Sequence, residues 1–321
     1  MKIDVEQTAA YLRENDDYLI LMHASPDGDT LGCGSALCIA LRRIGKRARA
    51  VCPDAIPPRF DYLFSPVEVQ EFEPKTIVCV DVADTQLLGD MKDIGDRADL
   101  CIDHHVSNTN YAKRILLKEN YAAACEVMYE VINALGVEFD KELANCIYTG
   151  TATDTGCFKF SNTSPQSHII AAEMLKFGAD FTQINYVMFD MKTQGRISLE
   201  QQVLKGIKYY AEGHVAAITV SLDMLESIKD IDSDDIGALA NIPRQIAGVD
   251  IGVCVKEKKN GVFKASLRSS ERIDVSAITQ KYGGGGHKRA AGCSFENCTM
   301  QQAVETIGKA CEEACREAGI I

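Results

Sequence analysis

Histidine and aspartate side chains follow an apolar segment near the start of this 321-residue chain. The segment Leu19-Ile20-Leu21-Met22 runs into His23 and then into a short loop, with a proline and a glycine, that carries Asp27 and Asp29. An apolar run bounded by such a loop is typical of a buried strand. Carboxylates and imidazoles without thiolates favour borderline-to-hard divalent ions such as Mn²⁺. Taken alone, however, a polar loop after a strand is more often only a loop.

The same arrangement recurs along the first half of the chain. The apolar stretch 76–80 leads into Asp81, and the stretch 98–102 leads into the triplet Asp103-His104-His105. Asp154 comes at the end of a helical segment. The carboxyl ends of parallel strands meet at one edge of a sheet, which is where open α/β folds place their sites. The candidate ligands expected at this edge are His23, Asp27, Asp29, Asp81, Asp103, His104, His105 and Asp154.

So many carboxylates at one sheet edge would repel each other unless cations offset their charge. Two divalent ions, bridged by one aspartate at a separation of about 3.5–4 Å, would remove this repulsion. Such a pair binds phosphoryl oxygens, lowers the pKa of water and stabilises the charge that develops at phosphorus. The residues therefore predict chemistry on phosphoesters.

The elements that must position these residues alternate between strands and helices, which predicts a parallel sheet with helices on both faces. Asp84 is interpreted as a helix N-cap rather than a ligand. Residues 53–75, with five prolines that include Pro66, are predicted to be irregular. The predicted strands are 19–22, 46–52, 76–84 and 98–105, and the predicted helices are 4–15, 31–44, 122–137, 140–153, 165–178 and 181–189.

From about residue 207 the pattern indicates a second, smaller α/β domain. Asn260-Gly261 predicts a hairpin turn, and Thr299 with Gln302 predicts a capping box at the start of the last helix. The predicted strands here are 215–220, 250–256 and 262–269, and the predicted helices are 222–229, 234–247 and 299–317. Residues 274–281 lead into the glycine run. The predicted domains are 1–190 for catalysis, 191–206 as a linker helix, and 207–321 for holding the substrate.

A glycine run in this second domain could bind an anion. Gly283 to Gly286 can expose consecutive backbone N–H groups, and His287 can donate to a phosphate. Arg268, at the end of a predicted strand, could make a bidentate phosphate contact. Without further context, a glycine run is more often a flexible loop, and a single arginine is more often a solvated surface residue.

Composition excludes some classes of function. The net charge of −12 argues against a protein that coats long nucleic acid with its whole surface. No apolar run approaches the roughly 18 residues of a membrane span, and the acidic first residues do not resemble a signal peptide. The 13 cysteines form no Cys-x-x-Cys pair, so a zinc ribbon is not expected. We therefore expect a cytoplasmic protein.

Together, these motifs resemble the DHH phosphoesterase superfamily, which is named for a triplet that this chain has at Asp103-His104-His105. The pattern His23-x-x-x-Asp27-x-Asp29 matches the first motif of that superfamily, Asp81 the second and Asp154 the fourth. The segment 283–287 matches the glycine-rich motif of the DHH-associated domain. The match covers nearly the whole chain, in order, and the combination is specific although no single motif is.

The resemblance implies a pair of divalent ions, usually Mn²⁺ in this superfamily. One ion would be held by three side chains and the other by four, with Asp81 shared between them. The implied ligand sets are His23, Asp27 and Asp81 for the first ion, and Asp29, Asp81, His104 and Asp154 for the second.

The resemblance also implies roles for residues around the ions. Asp81 would act in catalysis as the bridge, His105 would lie beside the scissile phosphate, and Asp103 would orient a histidine from behind the ligands. An arginine and the glycine-rich segment would hold the nucleotide end of the substrate. The implied substrate contacts are Arg268, Ser269, Gly284, Gly285, Gly286 and His287.

Within the superfamily, the two-domain organisation is most similar to the group of bifunctional oligoribonucleases. This implies hydrolysis of very short RNAs to mononucleotides and of 3′-phosphoadenosine 5′-phosphate (PAP) to AMP. A phosphodiesterase of cyclic di-AMP or of linear pApA is the alternative that the motifs leave open. A RecJ-like exonuclease fits less well because no basic channel is visible, and a non-catalytic nucleotide-binding protein fits less well because the acids are intact. A homodimer also remains open.

Overall fold

The computed structural model describes residues 1–65, 70–231 and 233–321 of the chain. The chain divides into two compact units, Met1–Met191 and Lys192–Ile321. Each unit has one sheet and its own hydrophobic core. In the part of the chain that the structure describes, no helix has the length and apolar character needed to cross a membrane.

The first unit is built on a five-stranded sheet in the order β2-β1-β3-β4-β5. All neighbouring strands in it are parallel, so their carboxyl ends lie at one edge. The strands are β1 (Tyr18–Leu21), β2 (Ala48–Val51), β3 (Thr76–Val80), β4 (Leu100–Asp103) and β5 (Arg114–Leu117).

Helices surround this sheet. The helices that begin at Gly28, Ala124 and Lys141 form the layer next to the site. The first and the third of these can approach closely because residue 32 is a glycine, at which a Cβ would stand only 2.5 Å from the Cys146 carbonyl oxygen. The helices are α1 (Val5–Glu14), α2 (Gly28–Arg43), α3 (Asp61–Phe64), α4 (Lys92–Gly95), α5 (Ala124–Ala134), α6 (Lys141–Asp154), α7 (Pro165–Lys176) and α8 (Phe181–Asn185).

Alternate residues of each strand enter two separate cores, because side chains of a strand point to opposite faces in turn. In β1, Tyr18 and Ile20 belong to the main core with α2, α5 and α6. Leu19 and Leu21 belong to a smaller core on the other face, which Leu88 and the segment up to α4 help to close. The predicted parallel sheet with helices on both faces is therefore confirmed.

Local predictions for the first unit agree with the structure at Asp84 and differ from it elsewhere. Asp84 caps the 3₁₀ turn Thr85–Met91, as predicted, with its side chain accepting from the Gln86 N–H. The short strand β5 was not predicted. The stretch expected to be irregular contains the 3₁₀ turn Pro58–Phe60 and then α3, and Pro66 lies outside the described residues. The predicted helix 181–189 is α8 followed by a wide π-helical turn, Tyr186–Asp190.

The second unit has a six-stranded mixed sheet in the order β10-β11-β9-β8-β7-β6. Only the β7–β8 pair is parallel among the strand pairs of the described residues. The strands are β6 (Lys208–Tyr210), β7 (Val215–Val220), β8 (Ile251–Glu257), β9 (Phe263–Ser269), β10 (Gly285–His287) and β11 (Ala290–Phe295). The helices are α9 (Gln194–Lys205), α10 (Leu222–Glu226), α11 (Ser233–Ala238), α12 (Val275–Gln280) and α13 (Met300–Glu317).

Helices cover this second sheet unevenly. Helix α13 begins at the predicted capping box and packs on one face, which also carries alternate residues of β7, β8 and β9. On the other face, α9 buries Leu199 and Val203 against Ile218 and Cys254. The helix predicted as a linker therefore contributes to the core of the second unit. Farther along this face, β9 presents Lys264, Ser266 and Arg268, of which the first is exposed and the other two are half-buried.

Candidate active site

The candidate ligands leave the sheet at the carboxyl ends of three adjacent strands. His23 follows β1, Asp81 follows β3 directly, and Asp103 is the last residue of β4. Because neighbouring strands run only about 4.8 Å apart, residues at their ends come into contact range. Asp81 has a φ of 57°, in the left-handed region. This left-handed conformation ends β3, and it places the Asp81 side chain at the edge of the sheet where the other candidate ligands lie.

Helix α2 begins in the same place, because Asp27 is its N-cap. Oδ1 of Asp27 accepts hydrogen bonds from the N–H groups of Asp29 and Thr30, at 3.0 and 3.1 Å. The hydroxyl of Thr30 in turn donates to the Val80 carbonyl, at 3.3 Å. The first turn of α2 is therefore tied to the end of β3, and it carries Asp29 into the interior, where this residue is fully buried.

One cluster of ligand atoms is formed by His23, Asp27 and Asp81. Nε2 of His23 lies 3.6 Å from Oδ1 of Asp27 and 3.6 Å from Oδ2 of Asp81. Nδ1 of His23 is 2.8 Å from the carbonyl oxygen of Ala24. That contact holds the ring so that Nε2 points at the two carboxylates, which is the usual way in which a metal-binding histidine is oriented.

A second cluster is formed around His104. Its Nε2 lies 3.8 Å from Oδ2 of Asp29 and 3.4 Å from Oδ2 of Asp154. Nδ1 of the same ring is 3.1 Å from the Tyr121 carbonyl oxygen. Oδ1 of Asp81 is also near, at 3.6 Å from His104 Nε2. The carboxylate of Asp81 therefore faces both clusters, one oxygen to each.

Asp103 lies behind the clusters and orients the residues that follow it. Its Oδ1 is 2.8 Å from Nδ1 of His105 and accepts the backbone N–H of His104, also at 2.8 Å. Its Oδ2 accepts a 2.6 Å hydrogen bond from the side-chain amide of Asn108. Asn108 was not predicted from the sequence. The only available signal was an asparagine in a tight loop after the triplet, a position where asparagine is common for purely local reasons.

The charges in the site are unbalanced. Burial, and then the neighbouring charge of Asp29, raise the pKa of Asp81 well above its ordinary value. Burial, and then the carboxylates of Asp29, Asp27 and Asp81, raise the pKa of Asp154 to about 10. Burial opposes the charged form of His23, but hydrogen bonds with Asp27 and Asp81 outweigh it and raise the pKa of His23 to about 11. The site as built holds more negative charge than its own side chains neutralise.

Two divalent cations fit this arrangement. Oδ1 of Asp81 and Nε2 of His104 are buried, and neither has a hydrogen-bond partner among the described residues. In the set His23, Asp27 and Asp81, and again in the set Asp29, His104 and Asp154, one ligand atom from each residue lies within 4.8 Å of the others. Carboxylate and imidazole donors suit ions such as Mn²⁺.

Asp29 is also held from behind, by groups that the sequence did not reveal. The first two N–H groups of α5 donate to it, from Ala124 to Oδ2 at 2.6 Å and from Cys125 to Oδ1 at 2.8 Å. The partial positive charge of a helix N-terminus favours a carboxylate there. Sγ of Cys33 lies 3.5 Å from Sγ of Cys125, directly behind the carboxylate. These cysteines act as small apolar spacers with weak polar contacts.

Three of the proposed substrate residues of the second unit, Arg268, Gly284 and Gly285, line an open cleft of about 500 Å³. Arg268 lines it together with Lys264 and Ser266 on the free face of β9, and Nε of Arg268 donates to Oδ1 of Asn241 at 3.1 Å. The hydroxyl of Ser269 instead donates to the carbonyl oxygen of Ile273 at 2.8 Å. His287 is exposed at the end of β10. Lys264 was not singled out from the sequence.

The glycine run is a structured element rather than a loose anion-binding loop. The N–H groups of Gly283 and Gly284 donate to the carbonyls of Gln280 and Thr279 at the end of α12. Gly285 begins β10, which pairs antiparallel with β11. A Cβ at Gly284 would stand 2.6 Å from Cβ of Cys293. The expectation of consecutive free N–H groups is therefore wrong at Gly283 and Gly284, because close packing and helix capping use them.

Comparison with known proteins identifies the family of this chain. Residues 17–151 match the N-terminal domain of the DHH family, and residues 215–317 match the DHHA1 domain. The chain belongs to the DHH family and is a phosphoesterase, a hydrolase that acts on phosphoester bonds.

Two individual relatives with the same description match most of the chain. The bifunctional oligoribonuclease and PAP phosphatase NrnA of Thermus thermophilus is 31% identical over 310 residues, which cover 94% of this chain and 91% of that protein. The protein of the same description from Bacillus subtilis is 23% identical over 87% of this chain and 90% of its own length.

Solved structures agree on the fold. An exopolyphosphatase-related protein from Bacteroides fragilis superposes with a TM-score of 0.86 at 25% identity, covering 98% of this chain and 97% of that one. The exonuclease RecJ, in a structure bound to manganese, superposes with a TM-score of 0.52 at 15% identity, covering 99% of this chain and 94% of that one. At that identity the RecJ comparison establishes the shared fold only.

Proposed function

We propose that this protein hydrolyses short oligoribonucleotides to mononucleotides and PAP to AMP, with two Mn²⁺ ions in the site. The relatives named for these two activities match the chain over nearly its whole length. The observation that carries the proposal is the position of Asp81, whose two oxygens each lie 3.6 Å from a different histidine. A single carboxylate between two ligand clusters is the arrangement that a two-metal phosphoesterase needs.

The proposed metal ligands divide between the clusters. When bound, two such ions stabilise charge on a phosphoryl group and lower the pKa of water. The side chains that would hold them lie on rigid elements, at three strand ends and at the ends of two helices, and all of them except Asp27 are at least partly buried. The first ion would be held by His23, Asp27 and Asp81, and the second by Asp29, Asp81, His104 and Asp154.

His105 would act on the phosphate directly. Its Nδ1 is engaged by Asp103, which leaves Nε2 to face outward from a side chain that is 41% exposed. The hydrogen bond with Asp103 is the largest cause that raises the pKa of His105, to about 9. With both ring nitrogens protonated, Nε2 would donate to a phosphate oxygen. Asp103 is a positioning residue in this scheme.

The second unit would hold the nucleotide end of the substrate. Arg268 and Lys264 place two positive charges on the free face of β9, and a guanidinium matches the geometry of a phosphate. His287 and the backbone of Gly285 and Gly286 would complete this grip, with Ser269 fixing the adjoining loop. A net charge of −12 on the whole chain favours a short substrate held at one place over a long polyanion. Short RNA and PAP as substrates would place the enzyme in the cytoplasm.

The decisive experiment is a substrate panel with Mn²⁺. We would compare kcat/KM for a ribodinucleotide, PAP, pApA, cyclic di-AMP and a long single-stranded DNA, with metal analysis of the purified protein. The dinucleotide and PAP should be the preferred substrates, and the purified protein should contain Mn²⁺. A tenfold or greater preference for cyclic di-AMP would replace the proposal with a cyclic dinucleotide phosphodiesterase. A preference for long DNA would replace it with a RecJ-like exonuclease.

A further inference from the structure

The chain makes an unusual turn directly after Asp154. Gly156, Cys157 and Phe158 have φ values of 56°, 58° and 62°, so three consecutive residues lie in the left-handed region. L-residues other than glycine rarely adopt this conformation, and they keep it only where the surrounding structure enforces it. Such strained backbone is concentrated at functional sites. The strained turn therefore indicates that the side chains it positions have a function.

Packing and hydrogen bonds hold the turn in place. The N–H of Cys157 donates to the Ala152 carbonyl at 2.7 Å, which closes the end of α6. The ring of Phe158 points inward, stacked on His168 at a centroid distance of 5.1 Å and tilted against Tyr148 at 6.1 Å. Phe158 is thereby anchored in the interior, whereas the next aromatic residue along the chain is exposed.

That residue, Phe160, lies flat on Gly156. A Cβ at Gly156 would stand 2.5 Å from Cε1 and 2.6 Å from Cε2 of the Phe160 ring, and slightly closer to Cζ. Nearly equal distances to three ring carbons mean that the face of the ring covers the glycine, because an edge-on ring would hold its tip carbon much closer than the two that flank it. Phe160 is nevertheless 59% exposed. One face of the ring is therefore supported by backbone, and the other is open to solvent.

The glycine beneath this ring lies close in the chain to the candidate ligand Asp154. Gly156 is two residues from Asp154, so their Cα atoms are within about 7 Å of each other. The side-chain amide of Asn162 donates to the Asp154 carbonyl at 3.1 Å and to the Ala122 carbonyl at 3.2 Å. The loop that carries Phe160 is thereby fixed to the metal ligand on one side and to the start of α5 on the other.

We propose that Phe160 is a stacking platform for the base of the nucleotide whose phosphoester is hydrolysed. The proposal rests on the proposed function and adds a binding residue to it. Aromatic side chains bind bases of single-stranded nucleic acid through the π-face, and they do so with little sequence preference. A scattered exposed phenylalanine on a protein surface would have no need of a strained turn or of a glycine beneath its ring. The enzyme should therefore accept all four bases at this position.

The test compares Phe160→Ala with the wild-type enzyme on two substrates. One is a ribodinucleotide and the other is the same dinucleotide with the base removed from the nucleotide that carries the scissile phosphate. With the intact dinucleotide, the variant should show a KM raised roughly tenfold, the size expected for one base-stacking contact, with little change in kcat. With the abasic substrate, the two enzymes should have the same KM. Phe160→Trp should restore the wild-type KM.

Controls separate this role from a structural one. Tyr186→Ala removes an aromatic side chain in the same unit that is 52% exposed, and it should leave both KM values unchanged. Mn²⁺ affinity and Tm should not change in Phe160→Ala, because the ring is mostly solvent-exposed. Weaker Mn²⁺ binding, or an equal loss with the abasic substrate, would show that Phe160 only shapes the turn at Asp154, and the proposal would be wrong.

Two further outcomes would distinguish a failure of the stacking platform from a failure of the proposed function. An unchanged KM for the intact dinucleotide in Phe160→Ala would overturn the platform while leaving the proposed function in place. If the wild-type enzyme turned over none of the nucleotide substrates in Mn²⁺, the proposed function itself would fail, and the platform with it.

Discussion

Oδ1 of Asp81 lies 3.6 Å from Nε2 of His104, and within the described ranges of the chain neither atom has a hydrogen-bond partner. Both atoms are buried, and burial of an unpaired polar group is normally costly. The pair is therefore explained by a group that is to be bound between them. Several expectations depend on this relationship and on the residues that support it.

Asp81→Asn should lower kcat/KM with Mn²⁺ by roughly 1000-fold or more, because it removes a negative charge that both ions would share. The protein should stay folded, with an unchanged or higher Tm in the absence of metal, since one of several crowded carboxylates becomes neutral. Asp84→Asn is the matched control, because Asp84 caps a 3₁₀ turn instead, and it should keep full activity. Wild-type turnover by Asp81→Asn would rule out the bridge.

Asn108→Ala should lower kcat by about 10- to 100-fold, the range found when the support of a metal-site histidine is removed. The substitution leaves Oδ2 of Asp103 without its 2.6 Å hydrogen bond, and Asp103 orients both His104 and His105. Steady-state kinetics would measure the effect. Asn133→Ala removes an exposed amide that donates only to a carbonyl of its own helix, and it should be silent. If both variants were equally active, Asp103 would not need this support.

Gly150→Ala should weaken Mn²⁺ binding, as measured by calorimetry. Its new Cβ would stand 2.6 Å from Oδ1 of Asp29 and would overlap Sγ of Cys125. The carboxylate of Asp29 must then shift from its present position beside His104. Gly237→Ala is the control, because its Cβ would meet nothing within 4 Å and alanine favours a helix. Unchanged Mn²⁺ affinity in Gly150→Ala would show that Asp29 is not a ligand.

Arg268→Ala should raise KM for the dinucleotide by roughly tenfold or more with a smaller effect on kcat, because it removes a charged contact to phosphate. Arg268→Lys should recover part of the affinity, since lysine keeps the charge but not the planar geometry. Arg316→Ala, which breaks only a helix-surface ion pair with Glu312, serves as the control. An unchanged KM in Arg268→Ala would show that other residues bind the nucleotide end of the substrate.

Asp250→Asn should destabilise the second unit by about 1–3 kcal/mol at pH 7. Asp250 accepts hydrogen bonds from His214 at 2.9 Å, from Ser270 at 2.6 Å and from two nitrogens of Arg272. Burial opposes its charge, but these bonds lower the pKa of Asp250 below its ordinary value.

This stabilisation has a defined pH dependence. A lowered pKa in the folded state means that the contribution is fully present above the unfolded pKa of about 4 and is lost as the pH falls through the folded pKa. Hydrogen exchange of the β8 and β9 amides, compared between the wild-type protein and the variant, would measure it. A difference that did not shrink in acid would show that the carboxylate charge is not the cause.

The sequence predicted the first unit well where apolar runs are long and uninterrupted. The strands that end before His23, at Asp81 and at Asp103 are fully or mostly buried, so hydrophobicity alone located them. Strand β5 was missed because only its two central residues are fully buried. The domain limits 1–190, 191–206 and 207–321 remain a prediction, although α9 buries two residues in the core of the second unit.

Contacts made by tertiary packing could not be predicted. Strand β11 begins Ala290-Ala291-Gly292, residues with low strand propensity, and it forms because β9 lies alongside it. Strand β11 in turn pairs with Gly285 and Gly286 of the glycine run, which thereby become part of β10. Support of Asp29 by the start of α5 joins residues almost a hundred positions apart. No sequence pattern around Phe160 indicates a binding role, because the proposed role depends on the backbone conformation of Gly156.

The ligand clusters extend along the chain from His23 to Asp154. An unfolded chain cannot bring these side chains together, so any cation held there binds the folded first unit alone. By mass action, each tenfold excess of free ion over its dissociation constant then adds about 1.4 kcal/mol to the free energy of unfolding. The cellular supply of that cation would thus set how much of this enzyme survives proteolysis, in addition to how fast each surviving molecule works.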